Sequence, residues 1–329
     1  MRLHGFFKPV VLKTSAYLAV DPRYHERAQT EARDCQIFPV PPQTAITPAI
    51  LRLAADLGLR TLAFEAHHIT VAAAEEMRAS AEPLGLTLIP TTNVIEQQRT
   101  VKDAGELALL ERASLLTDQA MQYAISYLRL NITEQELAWE IESFIRTHGG
   151  EGVSFPPIVA FGENGARPHP TPTIQRLKNQ EAILIDIGAT VDGYCGDLTR
   201  TYWLGNPPPQ FRQYHHAVLE TLSILEQEIH SGLTGAQIDA RAHEILGQYG
   251  LEQFLTHSAG HAIGLEVHEH PHLSQRDQAP ILPGTVITLE PAVYLPRWGG
   301  IRIEDTVVMT EGGCRVLNHA PKSLTIGAA

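Results

Sequence analysis

The 329-residue sequence lacks several features that would each indicate a particular class of protein. It has no run of about 18 apolar residues, so it predicts no membrane-spanning helix. The opening MRLHGFFKPVVLKTSAYLAV has neither a long apolar segment nor a small-residue cleavage site, so we expect no export signal. Basic side chains number 25 against 37 acidic ones, giving a net charge of -12 without any basic cluster. This composition argues against nucleic acid and anionic membranes as partners.

Cysteine is also scarce. Cys35, Cys195 and Cys314 are far apart, odd in number and not in a CxxC spacing. The sequence therefore predicts neither a disulfide framework nor a thiolate zinc site, and a reducing cytoplasm is the expected compartment. Histidine, by contrast, is abundant, with 16 in the chain and four of them between residues 257 and 270.

Two kinds of pattern divide the chain. As far as about residue 98, short apolar runs alternate with helical stretches, which is typical of a small α/β domain. Further on, long helical patterns are followed by strand-like runs in blocks, which favours an α+β fold. We therefore predict two domains, residues 1–100 and 101–329.

Helical signals are clearest in the second domain. VKDAGELALLERASLLTDQAMQYAISYLRL predicts a long helix, because apolar residues recur at helical spacing over several turns. NITEQELAWEIESFIRTHGG predicts another, with Thr133 and Glu136 in capping-box spacing and two glycines as a stop. Further helices are predicted at roughly 208–230 and 235–248.

Aspartates occur inside apolar strand patterns. AILIDIGATVDGYCGDLTRTYW predicts two strands joined through an Asp192-Gly193 turn, which places Asp186 and Asp197 nearly opposite each other. Opposed buried carboxylates repel, so either one is protonated or a cation lies between them. A single strand aspartate more often faces solvent, and the pair weakens that interpretation.

Glutamates continue this pattern. Strand alternation places Glu290 of VITLEP on the same face as Thr288, and Glu304 of IRIED on the same face as Arg302. Each acid alone could lie at a strand end, and Glu304 could simply pair with Arg302.

The histidines cluster in THSAGHAIGLEVHEH. His257 and His261 lie among glycines that suit close backbone approach better than a regular helix. His270 and His272 flank a proline in a polar segment, and we interpret both as surface or satisfied residues.

Several carboxylates with one or two imidazoles and no thiolate suit Mn²⁺, Co²⁺, Zn²⁺ or Fe²⁺ in a two-metal arrangement. Two metals about 3.5 to 4 Å apart can activate a water and stabilise the charge that develops when an amide is attacked. Hydrolysis is therefore the expected reaction.

Together these motifs resemble the pita-bread metallopeptidases, which include aminopeptidase P, prolidase and methionine aminopeptidase. The resemblance covers about residues 100–320 and runs through LIDIGA, GDLTRT, SAGHAIGLEVHE, TLEPAVY and GGIRIEDTV. It implies a dinuclear centre, with Mn²⁺ as the expected metal, whose ligands would be Asp186, Asp197, His261, Glu290 and Glu304. The residues that match the bridging ligands are Asp197 and Glu304.

The resemblance also implies roles around the metal ligands. His169 and His268 would position the scissile amide and stabilise the tetrahedral intermediate, and His257 matches a further site residue. Arg302 would orient Glu304 or Asp197 by a charge-assisted hydrogen bond. Glu290 is the candidate for carrying a proton from metal-activated water to the leaving nitrogen.

The α/β N-terminal region makes the chain more similar to bacterial Xaa-Pro peptidases than to methionine aminopeptidase. The expected function is an aminopeptidase P-like exopeptidase, a homodimer that uses a metal-bridged hydroxide to release the residue before proline. Prolidase activity on Xaa-Pro dipeptides is the alternative. A metal-free creatinase-like enzyme and a non-catalytic peptide-binding protein are disfavoured, because all five ligand positions keep metal-binding side chains.

Two departures from the family pattern accompany the resemblance. The N-terminal region looks short, as if a first strand and helix were missing, and EPAVY replaces the commoner Glu-Pro-Gly.

Overall fold

The computed structural model describes residues 7–326 and divides the chain into two units, Met1–Val94 and Ile95–Ala329. The first six residues, which belong to the segment where the sequence predicts no export signal, lie outside the described range. No helix among the described residues combines the length and apolarity needed to cross a membrane.

Strands and helices alternate in the first unit. Its strands are β1 (Phe7–Val11), β2 (Ala16–Val20), β3 (Gln36–Pro39), β4 (Thr61–Glu65) and β5 (Thr87–Thr91). Its helices are α1 (His25–Glu31), α2 (Ile46–Asp56) and α3 (Val71–Ala81), and α4 (Val94–Thr100) begins at the boundary. The sheets are β1-β2-β3 and the parallel pair β4-β5. Strand β1 and helix α4 are additions to the sequence prediction.

The helices of the second unit are α5 (Ala104–Tyr127), α6 (Glu134–Thr147), α7 (Pro209–Glu228) and α8 (Gly235–Gly247). Both long helical patterns near its start are confirmed. Helix α6 begins with the predicted capping box, in which Thr133 and Glu136 satisfy each other's backbone N–H groups. Helix α5 buries Ala113, Leu116, Ala120 and Ala124, whose spacing of three or four residues forms one apolar face.

The strands of the second unit follow one another in groups along the chain, with helices between the groups. They are β6 (Gly152–Val153), β7 (Ile158–Phe161), β8 (Ala182–Ile187), β9 (Ala189–Val191), β10 (Tyr194–Cys195), β11 (Leu198–Leu204), β12 (His261–Ala262), β13 (Glu269–His272), β14 (Val286–Leu289), β15 (Ala292–Leu295), β16 (Gly299–Arg302), β17 (Asp305–Thr310), β18 (Gly313–Val316) and β19 (Thr325–Ile326). The larger sheets have the orders β19-β11-β8-β7 and β13-β12-β14-β17-β18. Smaller ones are β10-β9-β6 and β15-β16.

Two apolar cores support these sheets. Helices α5 and α6 pack against the face of β8 and β11 through residues such as Ile141 and Ile185. Helices α7 and α8 cover the side of β14, β15 and β16 through residues such as Leu222 and Ile301. Each set of strands is therefore covered on one side by its own helix pair, which leaves the other side available for polar side chains.

Candidate metal centre

The two predicted aspartates lie on one face of the sheet formed by β8 and β11. Asp186 is the register partner of Thr199, and Asp197 precedes Thr199 by two residues, so all three share a face. The aspartates are therefore diagonal neighbours rather than directly opposite. The Asp192-Gly193 turn is confirmed, with both residues at positive φ (48° and 84°), and it closes the short β9-β10 hairpin.

The two glutamates lie where strands break, so the strand-end position that the sequence left open describes both better than a position inside a strand. Glu290 separates β14 from β15, because Pro291 has no N–H with which to extend the ladder. Its own N–H instead donates to Ala259 O at 2.9 Å. Glu304 separates β16 from β17 and donates its N–H to Thr199 O at 3.0 Å. Each break lets the chain move from one sheet to another at an acidic residue.

All five predicted ligands line one cavity of about 390 Å³. Ligand atoms of Asp197, His261 and Glu304 lie within 4.8 Å of one another, and all three residues are buried. His261 Nε2 is 3.7 Å from Asp197 Oδ2 and 3.5 Å from Glu290 Oε1. Asp186 is also buried, with only 6% of its surface exposed.

The hydrogen bond of His261 identifies the nitrogen that faces the carboxylates. Its Nδ1 lies 3.2 Å from the carbonyl oxygen of Ala262, which can only accept, so Nδ1 carries the proton. Nε2 then presents a lone pair to the carboxylates. Burial lowers the pKa of His261 to about 3, with the neighbouring His268 adding to the effect, so the ring is neutral near pH 7. A neutral imidazole fixed in this way is suited to binding a metal ion.

The carboxylates of this cluster are electrostatically unfavourable in the absence of a cation. Burial raises the pKa of Glu290 to about 7. Burial, and then repulsion from Glu304, raises the pKa of Asp197 well above its ordinary value, and burial and Glu290 do the same to Glu304. Asp186 Oδ1 is buried without a hydrogen-bond partner among the described residues. Four acids with an unsatisfied oxygen and a neutral imidazole fit divalent metal ions.

Arg302 lies behind the cavity, and its partner differs from the two that the sequence suggested. Its Nη2 donates to Asp186 Oδ2 rather than to Glu304 or Asp197. It reaches Glu304 only through Thr199, which accepts from Arg302 Nε at 3.0 Å and donates its hydroxyl to Glu304 Oε2 at 2.5 Å. Arg302 and Thr199 are fully buried, so these are the charge-assisted bonds that hold two of the acids in place.

Tyr294 connects Arg302 with His257, and sequence reasoning missed it. His257 Nδ1 donates to Ser258 O at 2.8 Å, so its Nε2 is an acceptor for the Tyr294 hydroxyl at 2.9 Å. The same hydroxyl oxygen accepts from Arg302 Nη1. Burial, assisted by the charge of Arg302, lowers the pKa of His257 to about 4, in keeping with a neutral ring. The signal available in the sequence was its position four residues after the predicted ligand Glu290.

Three further histidines line the cavity. His169 and His268 do so as predicted, and the His268 ring centroid is 4.3 Å from that of His261. Partial burial lowers the pKa of His268, and His169 adds to this. His272 also lines the cavity, a position that its interpretation as a surface or satisfied residue did not anticipate: pairing of β13 with β12 brings it beside His261.

An α+β fold in which two sheets carry acids and a histidine to a shared cavity defines the protein as a pita-bread metallopeptidase. Such sites use divalent metal ions. The chain belongs to metallopeptidase family M24, whose model matches residues 108–311. The creatinase/prolidase N-terminal domain matches residues 5–101.

Similar proteins support this assignment over nearly the whole chain. The Xaa-Pro dipeptidase of Pyrococcus furiosus is 35% identical over 232 residues, covering 70% of this chain and 67% of that protein. The structure of a Xaa-Pro dipeptidase from Bacillus anthracis superimposes with a TM-score of 0.93 at 31% identity, covering 97% of this chain and 89% of that one. An X-Pro aminopeptidase from Thermotoga maritima gives a TM-score of 0.91 at 32% identity, covering 98% and 90% of the two chains.

Proposed function

We propose that the protein is a metal-dependent Xaa-Pro dipeptidase, which hydrolyses the bond between the first residue and proline. The observation that carries the proposal is the convergence of five metal-binding side chains on one cavity. The cavity has an apolar wall that suits a proline ring, formed by Phe155, Pro156, Pro157 and Val267. Relatives named as dipeptidases or prolidases support this choice over the aminopeptidase P activity that the sequence favoured.

We assign Asp186, Asp197, His261, Glu290 and Glu304 as the residues that would hold two divalent metal ions. When bound, such ions polarise the scissile carbonyl and activate a water molecule. Arg302 and Thr199 position the acids by the hydrogen bonds described above. Mn²⁺ as the metal, a homodimer as the assembly and the cytoplasm as the compartment stay predictions of the sequence.

Glu290 is the proposed proton carrier. Its carboxylate lines the cavity, with Oε1 3.5 Å from His261 Nε2, and a carboxyl group there can both accept and donate a proton. In this scheme it takes a proton from the attacking water and gives it to the leaving nitrogen of proline. His169 and His268 line the same cavity and hold the scissile amide by donating or accepting hydrogen bonds. The His257–Tyr294–Arg302 chain keeps the adjacent wall in place.

The test compares peptides that differ only beyond proline. Purified protein is stripped with a chelator, reloaded with Mn²⁺ and given matched Xaa-Pro and Xaa-Pro-Xaa peptides, with Xaa-Ala as the specificity control. Metal-restored release of the first residue, faster from the dipeptide, is the expected result. Faster release from the tripeptide would instead support the aminopeptidase activity, which the Thermotoga maritima structure keeps as the second candidate. If neither proline peptide is cleaved, the proposal fails.

Replacing Glu290 tests its role separately. Glu290→Gln should abolish turnover while leaving much of the bound metal, because the amide cannot carry the proton. Metal content and peptide release are measured on the same sample. Glu252→Gln, at an exposed residue of the same unit, is the matched control. Retained turnover in Glu290→Gln would remove the proposed role.

A further inference from the structure

Glu134 is a fully buried carboxylate to which the proposed hydrolysis assigns no role. It is the first residue of α6 and has 0% of its surface exposed. The capping box of this helix is already supplied by Thr133 and Glu136. A buried carboxylate needs hydrogen-bond donors from somewhere, and its helix does not provide them.

All of the donors recorded for Glu134 belong to one distant segment, residues 161–173. Oε1 accepts from Phe161 N at 2.7 Å. Oε2 accepts from Asn164 Nδ2 at 2.9 Å, Thr173 N at 2.8 Å and Thr173 Oγ1 at 2.6 Å. These four hydrogen bonds tie both ends of the segment to a single side chain.

The segment held by Glu134 forms part of the cavity wall. His169 and the three residues after it line the cavity. The middle of the segment is held from the other side, because Arg302 Nη1 donates to Pro168 O at 3.0 Å. Strand β16 also fits closely against it: a Cβ on Gly300 would lie 2.1 Å from Gly165 O. Residues 162–166 form a 3-10 helix, but residues 167–173, which include His169, lie in no helix or strand, so these contacts fix the path of that part.

We propose that Glu134 is a positioning residue that fixes the 161–173 segment and so sets where His169 meets the substrate. The proposal deepens the proposed function and rests on it for the identity of the substrate. A purely structural role is the competing interpretation, in which the carboxylate stabilises the whole unit without a particular effect on the cavity wall.

Glu134→Gln is the informative substitution. It keeps the shape of the side chain, but its NH₂ group must face either Phe161 N or the donors of Asn164 and Thr173, since donors surround both oxygens. Thr173→Val removes the hydroxyl that donates to Glu134 and accepts from Gln175 N at 3.1 Å, and leaves the other three bonds to Glu134. It should act in the same direction with a smaller effect, so it serves if the first variant folds poorly. Glu142→Gln, at a partly exposed residue on the same helix, is the matched control.

Hydrogen exchange of the metal-free protein gives a readout that does not depend on activity. In Glu134→Gln the amide that the NH₂ group faces, either that of Phe161 or that of Thr173, should exchange about tenfold faster, the effect of losing roughly 1.4 kcal/mol of local protection. Amides of β8 and of α6 beyond its first turn should be unchanged, as should all amides in Glu142→Gln. Uniformly faster exchange across the unit, or no change at the two amides, would overturn the proposal.

Steady-state kinetics with an Xaa-Pro dipeptide tests the link to His169. Glu134→Gln should lower kcat/KM about tenfold, mainly through KM, because the cavity wall is displaced while the acids are untouched. In a protein that already carries His169→Ala, Glu134→Gln should lower kcat/KM by no more than about twofold, because the imidazole that Glu134 positions is absent. If the double variant loses kcat/KM by the product of the two single-variant factors, Glu134 acts independently of His169 and the positioning role is refuted. If the wild-type protein cleaves no Xaa-Pro peptide, the proposed function fails, and the exchange experiment alone decides whether Glu134 fixes the segment.

Discussion

The buried histidine of helix α7 makes the stability of the protein sensitive to acid. His215 has only 3% of its surface exposed and packs near the ring of Phe211, at a centroid distance of 5.9 Å. Burial lowers its pKa from 6.5 to about 4, although a hydrogen bond to the backbone of Thr201 opposes the change. In the folded protein His215 therefore binds a proton only at a lower pH than it does in the unfolded chain.

The sign and size of the effect follow from linkage. Above pH 6.5 both states leave His215 neutral and it makes no pH-dependent contribution. As the pH falls from 6.5 towards about 4, the unfolded state binds the proton first and stability is lost. Between about pH 7 and pH 5 the loss is about 1.8 kcal/mol. For a unit of this size that corresponds to a decrease in Tm of roughly 4 to 7 °C.

Other groups also titrate between pH 7 and pH 5. The assay therefore compares the stability of the wild type with that of a variant at each pH. Thermal unfolding of the wild type and of His215→Gln is followed at both pH values, with metal content held constant. At pH 7 the free energy of unfolding of the variant can be lower than that of the wild type. At pH 5 this difference should be smaller by about 1.8 kcal/mol, because only the wild type loses stability through His215. His216→Gln, one residue along and with 68% of its side chain exposed, is the control and should show no such change.

A deficit that is the same at both pH values would refute the reasoning. It would mean that the His215 imidazole is protonated in the folded state as readily as in the unfolded chain. A deficit that grows in acid would show the opposite sign, as expected if the folded protein stabilised the charged ring.

Two further predictions concern buried charges of the catalytic unit. Tyr294→Phe should lower kcat/KM by about 10- to 100-fold, because Arg302 loses a buried hydrogen bond; unchanged kinetics on an Xaa-Pro dipeptide would contradict this. Lys102→Met should lower the Tm by roughly 2 to 6 °C, a cost of about 1 to 1.5 kcal/mol, because Glu269 loses a buried partner at 3.1 Å but keeps its ion pair with Arg99. Arg112→Met, which removes an exposed ion pair, should leave the Tm nearly unchanged, and equal effects of the two would refute the argument.

Local signals account for what could be predicted along the chain. The capping box at Thr133 and Glu136 and the turn at Asp192 depend on residues close in sequence, and both are present as expected. Similar reasoning predicted the long helix α5 from the spacing of its apolar residues.

The breaks at Glu290 and Glu304 could not be predicted in the same way. A period of two residues shows that a segment is extended, but it carries no information on which sheet the segment joins or where it leaves that sheet. The place of His272 at the cavity could not be predicted for the same reason, because it depends on pairing with a strand that begins at His261.

By itself, then, the sequence determined the fold class and the family and predicted a set of metal-binding side chains, because motif order and short-range periodicity are properties of the chain. The tertiary structure alone decided which atoms meet. It placed Arg302 on Asp186, inserted Tyr294 between Arg302 and His257, and tied the His169 segment to Glu134. These contacts join residues up to 116 positions apart, and only the packing of sheets and helices determines them.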